Sequence, residues 1–315
     1  MIINRRQLRI KVLQQLYAFE LNEEASISVF EKNLNHSIEK MYDLYYYLLL
    51  LMIELRLLAE QKMQEGKDKY VPSEKDLNPS LRFVNNRLLK SIGENPILAI
   101  RLQERGISWS KEMDIVKGLY KKIKDADFYV NYLETSDDDV ESDAQFAIEL
   151  FKKYIINDEI IYTFFEDQSI YWIDDIDLVA SMIIKSFKRS KETKGEVELL
   201  DLFKEEKEER DFYKKLFHES IVRKDEVDAI IREHTNNWDI ERIALMDILL
   251  MRLAVTEAMI FNSIPIKVTL NEYIELAKQY STNKSNSFVN GILDKSFQEL
   301  KLSGKIKKSG RGLIE

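Results

Sequence analysis

The chain is organised as runs of apolar residues at helical spacing, separated by short polar segments. The first run has spacings of four, four and three residues and consists of Leu8, Val12, Leu16 and Phe19. Residues spaced in this way lie on one face of a helix. Asn4 precedes the run and is a favourable residue for a helix start. We therefore predict a helix over residues 4–21.

The same periodicity predicts a series of further helices. They cover residues 26–64, 97–103, 109–124, 146–165, 176–187, 197–223, 225–236, 239–261, 271–280 and 286–302. Three of the four prolines lie between Pro72 and Pro96, which indicates an irregular connection there. Glycine is also scarce, with 9 residues in 315, and this favours long helices over strands and hairpins. The pattern predicts an all-α fold.

The strongest apolar run, residues 44–53, predicts a buried helix and no membrane span. It contains ten residues and is bounded by Asp43, Glu54 and Arg56, whereas a membrane helix needs roughly twenty apolar residues. The basic residues 1–11 lead into an amphipathic helix instead of the apolar segment of a secretory signal. Because cysteine is absent, as is common in a reducing compartment, we expect a cytoplasmic protein.

The sequence contains no recognisable catalytic or metal-binding motif. The absence of cysteine excludes disulfides, thiolate metal sites and cysteine nucleophiles. His36, His218 and His234 are not at metal-ligand spacing, and there is no phosphate-binding loop, nucleophile elbow or dinucleotide fingerprint. We therefore expect no metal, no cofactor and no enzymatic activity.

The net charge of −8 argues against a nucleic-acid partner, but the charge is unevenly distributed. Residues 1–19 contain four basic residues and no acidic one, and residues 262–315 contain nine basic and five acidic residues. Steering of a polyanion depends on such local patches more than on the total charge. Both ends of the chain therefore remain candidates for contact with nucleic acid.

Two charged runs in the middle of the chain each have two interpretations. The acidic run 136–143 is either a solvated linker or helix start, or a metal site, although its spacing lacks the glycine and closing glutamate of an EF-hand. The basic run 185–194 is either an exposed helix end, where cations suit the helix dipole, or an RNA contact.

Two blocks of sequence stand out along the chain. The first is the arginine-rich start N-R-R-Q-L-R, residues 4–9, followed by the helical segment L-Q-Q-L-Y-A-F-E-L, residues 13–21. The second begins near Trp238 and keeps the order E-R-I, D-I-L, R-L-A, E, I-P, N-E, E-L-A-K and F-V-N-G-I-L-D up to Asp294. Both blocks resemble the NusB family of bacterial transcription antitermination factors. The loop 281–285 departs from the family, which often has a glycine and an acidic residue there, whereas Lys284 supplies a cation.

The resemblance implies an all-α fold of two small packed helical bundles, enlarged here by an extra helical region. Residues 1–24 and 197–302 would form a discontinuous RNA-binding core, 25–196 a helical insertion of unknown role, and 303–315 a basic, flexible tail. The family binds the boxA element of single-stranded RNA together with NusE, a ribosomal protein. That complex joins the antitermination complex on RNA polymerase.

Candidate RNA-binding residues follow from the resemblance. On an ideal helix Arg6, Leu13 and Tyr17 lie within about 40° of one another, so Arg6 can meet a phosphate while Tyr17 stacks on a base. The residues alone favour solvated arginines, a core Tyr17 and a packed Phe288. With the resemblance we predict RNA contact for Arg5, Arg6, Arg9, Tyr17, Tyr280, Lys284, Phe288 and Asn290. We expect Arg6 and Phe288 to converge on one strip.

Two alternatives to an antitermination factor remain open. One is a NusB-like factor for rRNA processing or ribosome assembly, with the insertion, which is rich in tyrosine, as a docking module. The other is a protein–protein scaffold that has lost RNA binding. Salt-dependent binding of a short single-stranded RNA separates both RNA-binding functions from the scaffold.

Overall fold

The computed structural model describes residues 1–22, 24, 26–235, 243–282 and 284–313. Within these ranges the chain is built of helices and contains no β-strand, which confirms the predicted all-α fold. The helices are α1 (Arg5–Glu20), α2 (Ile27–Lys67), α3 (Glu74–Leu77), α4 (Arg87–Gly93), α5 (Pro96–Arg105), α6 (Met113–Lys124), α7 (Asp127–Glu134), α8 (Val140–Leu150), α9 (Glu159–Gln168), α10 (Ile176–Arg189), α11 (Glu206–Val222), α12 (Lys224–Glu233), α13 (Leu245–Ile260), α14 (Ile266–Tyr280) and α15 (Ser285–Leu302).

The chain forms two compact units. The terminal unit comprises Met1, Ile3–Ile38 and Phe203–Glu315, and the middle unit comprises Ile2 and Glu39–Leu202. Helix α2 therefore contributes its first part to one unit and the rest to the other. These bounds lie close to those predicted for the core and the insertion but do not coincide with them. The assignment of separate roles to the two parts stays a prediction.

Helix α13 is the centre of the terminal unit. It packs against α1, α11, α12, α14 and α15, and every residue from Leu249 to Ala258 is buried. A helix that is covered on all sides has no polar face, so the single apolar stripe expected from the sequence understates its burial. The first part of the predicted helix, residues 239–242, lies outside the described residues.

The apolar run 44–53 lies in α2 and forms part of the core of the middle unit. Nine of its ten side chains are buried, and the rings of Trp109 and Trp172 pack edge-on against the remaining residue, Tyr47. Both indoles also donate hydrogen bonds to backbone carbonyls of α2, those of Tyr47 and Lys40. The predicted buried helix is confirmed. Among the described residues, no helix is both long enough and apolar enough to cross a bilayer.

Residues 146–165 were predicted to form one helix, but this prediction is wrong because the segment is divided between two helices. Helix α8 begins at Val140, after the N-cap residue Asp139, and is followed by a π-helical turn, Phe151–Ile155. Asp158 then starts α9 by accepting hydrogen bonds from the backbone N–H groups of Ile160 and Ile161. The acidic run 136–143 is thus used as a helix start, and Asp158 is a second cap that the apolar periodicity did not reveal.

The predicted helix over 197–223 begins nine residues late, at Glu206. The backbone of the preceding segment finds side-chain partners instead of helical ones. The N–H of Val197 donates to Ser91 Oγ at 2.9 Å, and the N–H of Leu200 donates to Tyr45 Oη at 3.1 Å. Neither partner is adjacent in sequence. Conversely, α14 begins five residues earlier than predicted, directly after Pro265.

The basic tail after α15 makes specific contacts with the end of α13. Ile306 is buried, and Lys308 Nζ donates to the carbonyl oxygens of Ala258 and Phe261, both at 2.9 Å. Cations at this position satisfy carbonyl groups that have no partner within the helix. Burial lowers the pKa of Lys308 to about 8, although the nearby Glu257 acts in the opposite direction. The flexibility predicted for 303–315 stays a prediction.

Lys308 makes the stability of the terminal unit depend on pH. Between about pH 8 and the ordinary lysine pKa of 10.5, the unfolded chain binds the proton more strongly than the folded one. The free energy of unfolding should therefore rise with pH across this window and show the full burial penalty below it. We expect the difference in free energy of unfolding between the wild type and Lys308→Gln, measured by denaturant titration, to change across this window. The exposed neighbour variant Lys307→Gln should follow the wild type, and a constant difference between wild type and Lys308→Gln would contradict the argument.

Candidate nucleic-acid interface

The start of α1 presents its arginines from a well-defined helix end. The Asn4 side chain accepts hydrogen bonds from the backbone N–H groups of Arg6, at 2.9 Å, and Gln7, at 3.2 Å. Such a cap satisfies two of the donors that a helix N-terminus leaves open. Because the cap holds the first turn, the directions of Arg5, Arg6 and Arg9 are set by the helix itself.

Arg9 points into the protein. Its side chain is only 3% exposed and forms two hydrogen bonds, of 2.7 and 2.8 Å, to the fully buried carboxylate of Glu257 on α13. Glu257 also accepts from Thr269 Oγ1 and Tyr273 Oη on α14. Burial lowers the pKa of Arg9, but the Glu257 carboxylate more than offsets this and raises it above its ordinary value. Arg9 joins three helices and is too enclosed for the RNA contact predicted for it.

Arg6 lies at the surface and is paired with α14. Its guanidinium donates two hydrogen bonds, both of 2.8 Å, to the carboxylate of Glu272, and its side chain is 44% exposed. The hydrogen bond from Arg6 lowers the pKa of Glu272. Arg9 lies 3.8 Å from the same carboxylate. The pair ties the first turn of α1 to the middle of α14.

Arg5 faces the other side, toward α11. It lies 3.2 Å from Glu209 and 3.5 Å from Glu208, and its guanidinium carbon is 5.1 Å from the centre of the Phe212 ring. The side chain is about one-third exposed. The carboxylates and the ring hold Arg5 in place while leaving part of the guanidinium open to solvent.

Tyr17 has an exposed ring, whereas Leu13, which was expected on the same face, is fully buried. Tyr17 is 37% exposed and Leu13 is 0% exposed. The boundary between core and solvent therefore runs between these two residues. Of the two alternatives left open by the sequence, the structure favours an accessible Tyr17 over a core one.

The turn between α14 and α15 carries the other candidate residues. Tyr280 is the last residue of α14, Lys284 is exposed immediately before α15, and Phe288 is half-buried one turn into α15. Asn290 is exposed on the same helix. Residue 283 of this loop lies outside the described residues.

A chain of hydroxyl groups fixes this turn. Ser285 Oγ contacts Ser281 Oγ at 3.0 Å and Thr282 Oγ1 at 2.8 Å, and it donates to the buried carboxylate of Asp247 on α13 at 2.8 Å. Asp247 thereby anchors the start of α15 to the start of the central helix. The turn that carries Tyr280, Lys284 and Phe288 is held against the core.

Known proteins are similar to the later part of the chain. The NusB family model matches residues 177–298. A transcription antitermination protein NusB from Natranaerobius thermophilus is 36% identical over 110 residues, which cover 33% of this chain and 79% of that protein. The chain belongs to the NusB family.

Two further NusB relatives agree with this assignment. Transcription antitermination protein NusB from Salinibacter ruber is 47% identical over 105 residues, covering 33% of this chain and 66% of the relative. The one from Chloroherpeton thalassium is 44% identical over 106 residues, covering 34% and 50%. The chain therefore spans between half and two-thirds of the length of these two relatives. No solved structure matches the chain.

The NusB match covers only part of the candidate interface. Tyr280, Lys284, Phe288 and Asn290 lie inside residues 177–298, whereas the arginines and Tyr17 of α1 lie outside them. The contact between Arg6 and Glu272 nevertheless joins α1 to the helix that ends in Tyr280. Tyr280 lies eight positions after Glu272, which corresponds to about 12 Å along a helix axis. The convergence of Arg6 and Phe288 on one strip stays a prediction.

Asp247, Glu257 and Glu272 belong to the family motif, and the sequence alone indicated no role for them. Each is an acceptor that positions the candidate interface: Asp247 for the turn, Glu257 for Arg9 and Glu272 for Arg6. The sequence offered a signal for Asp247 and Glu257, because an acidic residue inside a strongly apolar helix must find a partner when it is buried. The identity of the partner could not be read from the sequence. Trp238, Glu241 and Arg242 of the same motif lie outside the described residues.

Proposed function

We propose that this chain is an RNA-binding transcription antitermination factor. It binds boxA-like single-stranded RNA together with the ribosomal protein NusE and supports assembly on RNA polymerase in the cytoplasm, without catalysing a reaction. The observation that carries the proposal is the NusB match over residues 177–298, whose relatives are named transcription antitermination proteins. The proposed RNA surface consists of Arg5, Arg6, Tyr17, Tyr280, Lys284, Phe288 and Asn290.

The chemistry of this surface suits unpaired nucleotides. Partly exposed guanidinium groups supply salt-dependent phosphate contacts, and the accessible ring of Tyr17 offers a face for base stacking. Lys284 adds an exposed cation four residues before the half-buried Phe288. Arg9 is left out of the surface because Glu257 and the packing of α13 enclose it.

RNA phosphates must compete with the acidic side chains that already bind the arginines. Arg6 is already paired with Glu272, and Arg5 with Glu208 and Glu209. A phosphate must therefore take over hydrogen bonds that a carboxylate makes in the free protein. Exposed pairs of this kind contribute only about 0–1 kcal/mol, so the exchange costs little. The carboxylates keep the guanidinium groups oriented until RNA arrives.

The double variant Arg5→Gln and Arg6→Gln tests the proposal. We expect weaker binding of a boxA-like single-stranded RNA and a shallower dependence of affinity on salt, because each lost phosphate contact lowers the slope by roughly 0.7 for a single strand. The slope should fall by about 1.4 for two contacts. Fluorescence anisotropy at several salt concentrations, with and without purified NusE, measures both quantities.

A matched control removes the same charge elsewhere on the terminal unit. Lys32 and Arg232 are both exposed, and their double glutamine variant should bind RNA as the wild type does. If the Arg5 and Arg6 variant keeps the wild-type affinity and slope, the first helix is not part of the surface. If the wild type binds no RNA, the scaffold alternative is favoured. Co-purification with pre-ribosomal particles instead of RNA polymerase would favour the assembly factor.

A further inference from the structure

The end of α10, in the middle unit, carries a dense group of exposed cations. The α10 basic patch consists of Lys185, Lys188, Arg189, Lys191 and Lys194, all of which are exposed. Residues 185–194 contain one acidic residue, Glu192, so this short stretch has a net charge of +4 in a protein whose total is −8. Lys185, Lys188 and Arg189 have spacings of three and four residues and share one helix face.

The helix dipole explains only part of this patch. Lys188 and Arg189 lie in the last turn of α10, where cations offset the partial negative charge of the helix end. The effect fades within that turn. Lys185 lies before the last turn, and Lys191 and Lys194 lie beyond the helix. Three of the five cations therefore need another explanation.

Most of the patch also lacks acidic partners among the residues that the structure describes. Lys191 forms an ion pair with Glu141. For the other four, no carboxylate among the described residues forms an ion pair. The arginines at the start of α1 are in the opposite situation, since each of them already has a carboxylate partner. These four cations of the patch are therefore available to an external anion.

A tight turn holds the cations beyond the helix end. The buried Ser190 donates its hydroxyl to the Phe187 carbonyl at 2.7 Å, and its own carbonyl accepts from the N–H of Gly195 at 2.8 Å. Gly195 has a φ of 94° and lies so close to Arg87 that a Cβ atom there would be 2.8 Å from the Cβ of Arg87. Residues 190–195 therefore form a close turn against α4, which limits the movement of Lys191 and Lys194.

The surroundings of the patch indicate which polyanion it suits. No large hydrophobic side chain is exposed between residues 174 and 221, all of which the structure describes. A membrane-binding helix needs an apolar face to insert between lipids, and α10 exposes no large hydrophobic side chain. Residues 174–221 also include no exposed aromatic ring on which a base could stack. Cations alone suit the phosphodiester backbone of a nucleic acid.

We propose that the α10 basic patch is a second RNA contact, which binds the phosphate backbone of single-stranded RNA without regard to sequence. The inference extends the proposed RNA-binding function to the middle unit, whereas every residue of the proposed RNA surface belongs to the terminal unit. Contacts of this kind increase affinity in a salt-dependent way and carry no sequence information.

The test uses the full chain and a 30-nucleotide oligouridylate. The triple variant Lys185→Gln, Lys188→Gln and Arg189→Gln removes three exposed cations. We expect its salt slope for this RNA to be smaller by about 2, because each single-strand phosphate contact contributes roughly 0.7. Between 50 and 200 mM salt, this corresponds to about a 20-fold smaller loss of affinity. The control variant replaces Lys117, Lys121 and Lys124, exposed lysines of α6, by glutamine and should behave as the wild type.

The outcomes separate this inference from the proposed function. If the α10 variant binds the oligouridylate with the wild-type affinity and slope, or if the α6 variant loses as much, the patch is not an RNA contact. Failure of the wild type to bind the oligouridylate also overturns the inference. So does a loss of binding in the α10 variant that is seen with anionic lipid vesicles but not with the oligouridylate. If the Arg5 and Arg6 variant keeps wild-type binding of boxA-like RNA while the α10 variant shows the smaller salt slope, the proposed RNA surface is wrong and the patch remains an RNA contact. Unchanged thermal unfolding of both triple variants shows that the fold is intact.

Discussion

Replacing Arg9 by alanine is expected to lower the free energy of unfolding by about 3–5 kcal/mol. The reason is that Glu257 is fully buried and accepts two hydrogen bonds from Arg9. Without the guanidinium, the Glu257 carboxylate remains in the core without its ion-pair partner. A buried charge without its partner costs far more than the pair contributed. Chemical denaturation monitored by circular dichroism measures the loss.

Two companion variants distinguish this explanation from a simple loss of packing. Arg6→Ala removes an exposed guanidinium from the same helix and should cost no more than about 1 kcal/mol. The double variant Arg9→Met and Glu257→Gln removes both charges but keeps an oxygen that can accept from Thr269 and Tyr273. It should be more stable than Arg9→Ala. Equal stability of these two variants would show that the unpaired charge is not the cause.

Tyr17→Ala is expected to weaken binding of boxA-like single-stranded RNA by about 5- to 150-fold, which corresponds to the roughly 1–3 kcal/mol that one base–aromatic stack contributes. The stability of the protein should change little, because the ring is already 37% exposed. Anisotropy titrations with NusE present measure the affinity, and thermal unfolding measures the stability.

Two variants distinguish the contribution of the Tyr17 ring to RNA affinity from that of its hydroxyl group and from the general effect of shortening a surface side chain. Tyr17→Phe keeps the stacking face and should retain nearly all the affinity. Leu21→Ala shortens another exposed apolar side chain just after the same helix, where Leu21 is 61% exposed, and should have no effect. Wild-type affinity of Tyr17→Ala would remove this residue from the proposed RNA surface.

The two predictions describe opposite uses of one helix. The inner face of α1 carries Arg9, which holds α1 against α13 and α14 through Glu257. The outer side carries Arg6 and Tyr17, which remain accessible. Because Arg9 stiffens the helix from within, its loss should reduce RNA binding only indirectly, through stability. Loss of Tyr17 should act on RNA binding directly.

Local features of the fold could be predicted from the sequence because their causes are local. Asn4 caps α1 as predicted, and the apolar periodicity identified most helices, including the buried run 44–53 of α2. One error arose where distant groups intervene. The segment before α11 stays non-helical because Ser91 and Tyr45 bind its N–H groups, and neither residue is near it in the chain.

For the site, the sequence by itself determined the residue types: an arginine-rich helix start, aromatic residues around the last turn and a recognisable family motif. Only the tertiary structure decided which of these residues face solvent. Arg6 and Arg9 are three residues apart in the same helix, yet one is 44% exposed and the other 3%. The difference comes from Glu257, 248 positions from Arg9, which the packing of α13 places on the inner side of α1. No local pattern encodes which face of a helix another helix will cover with a buried carboxylate.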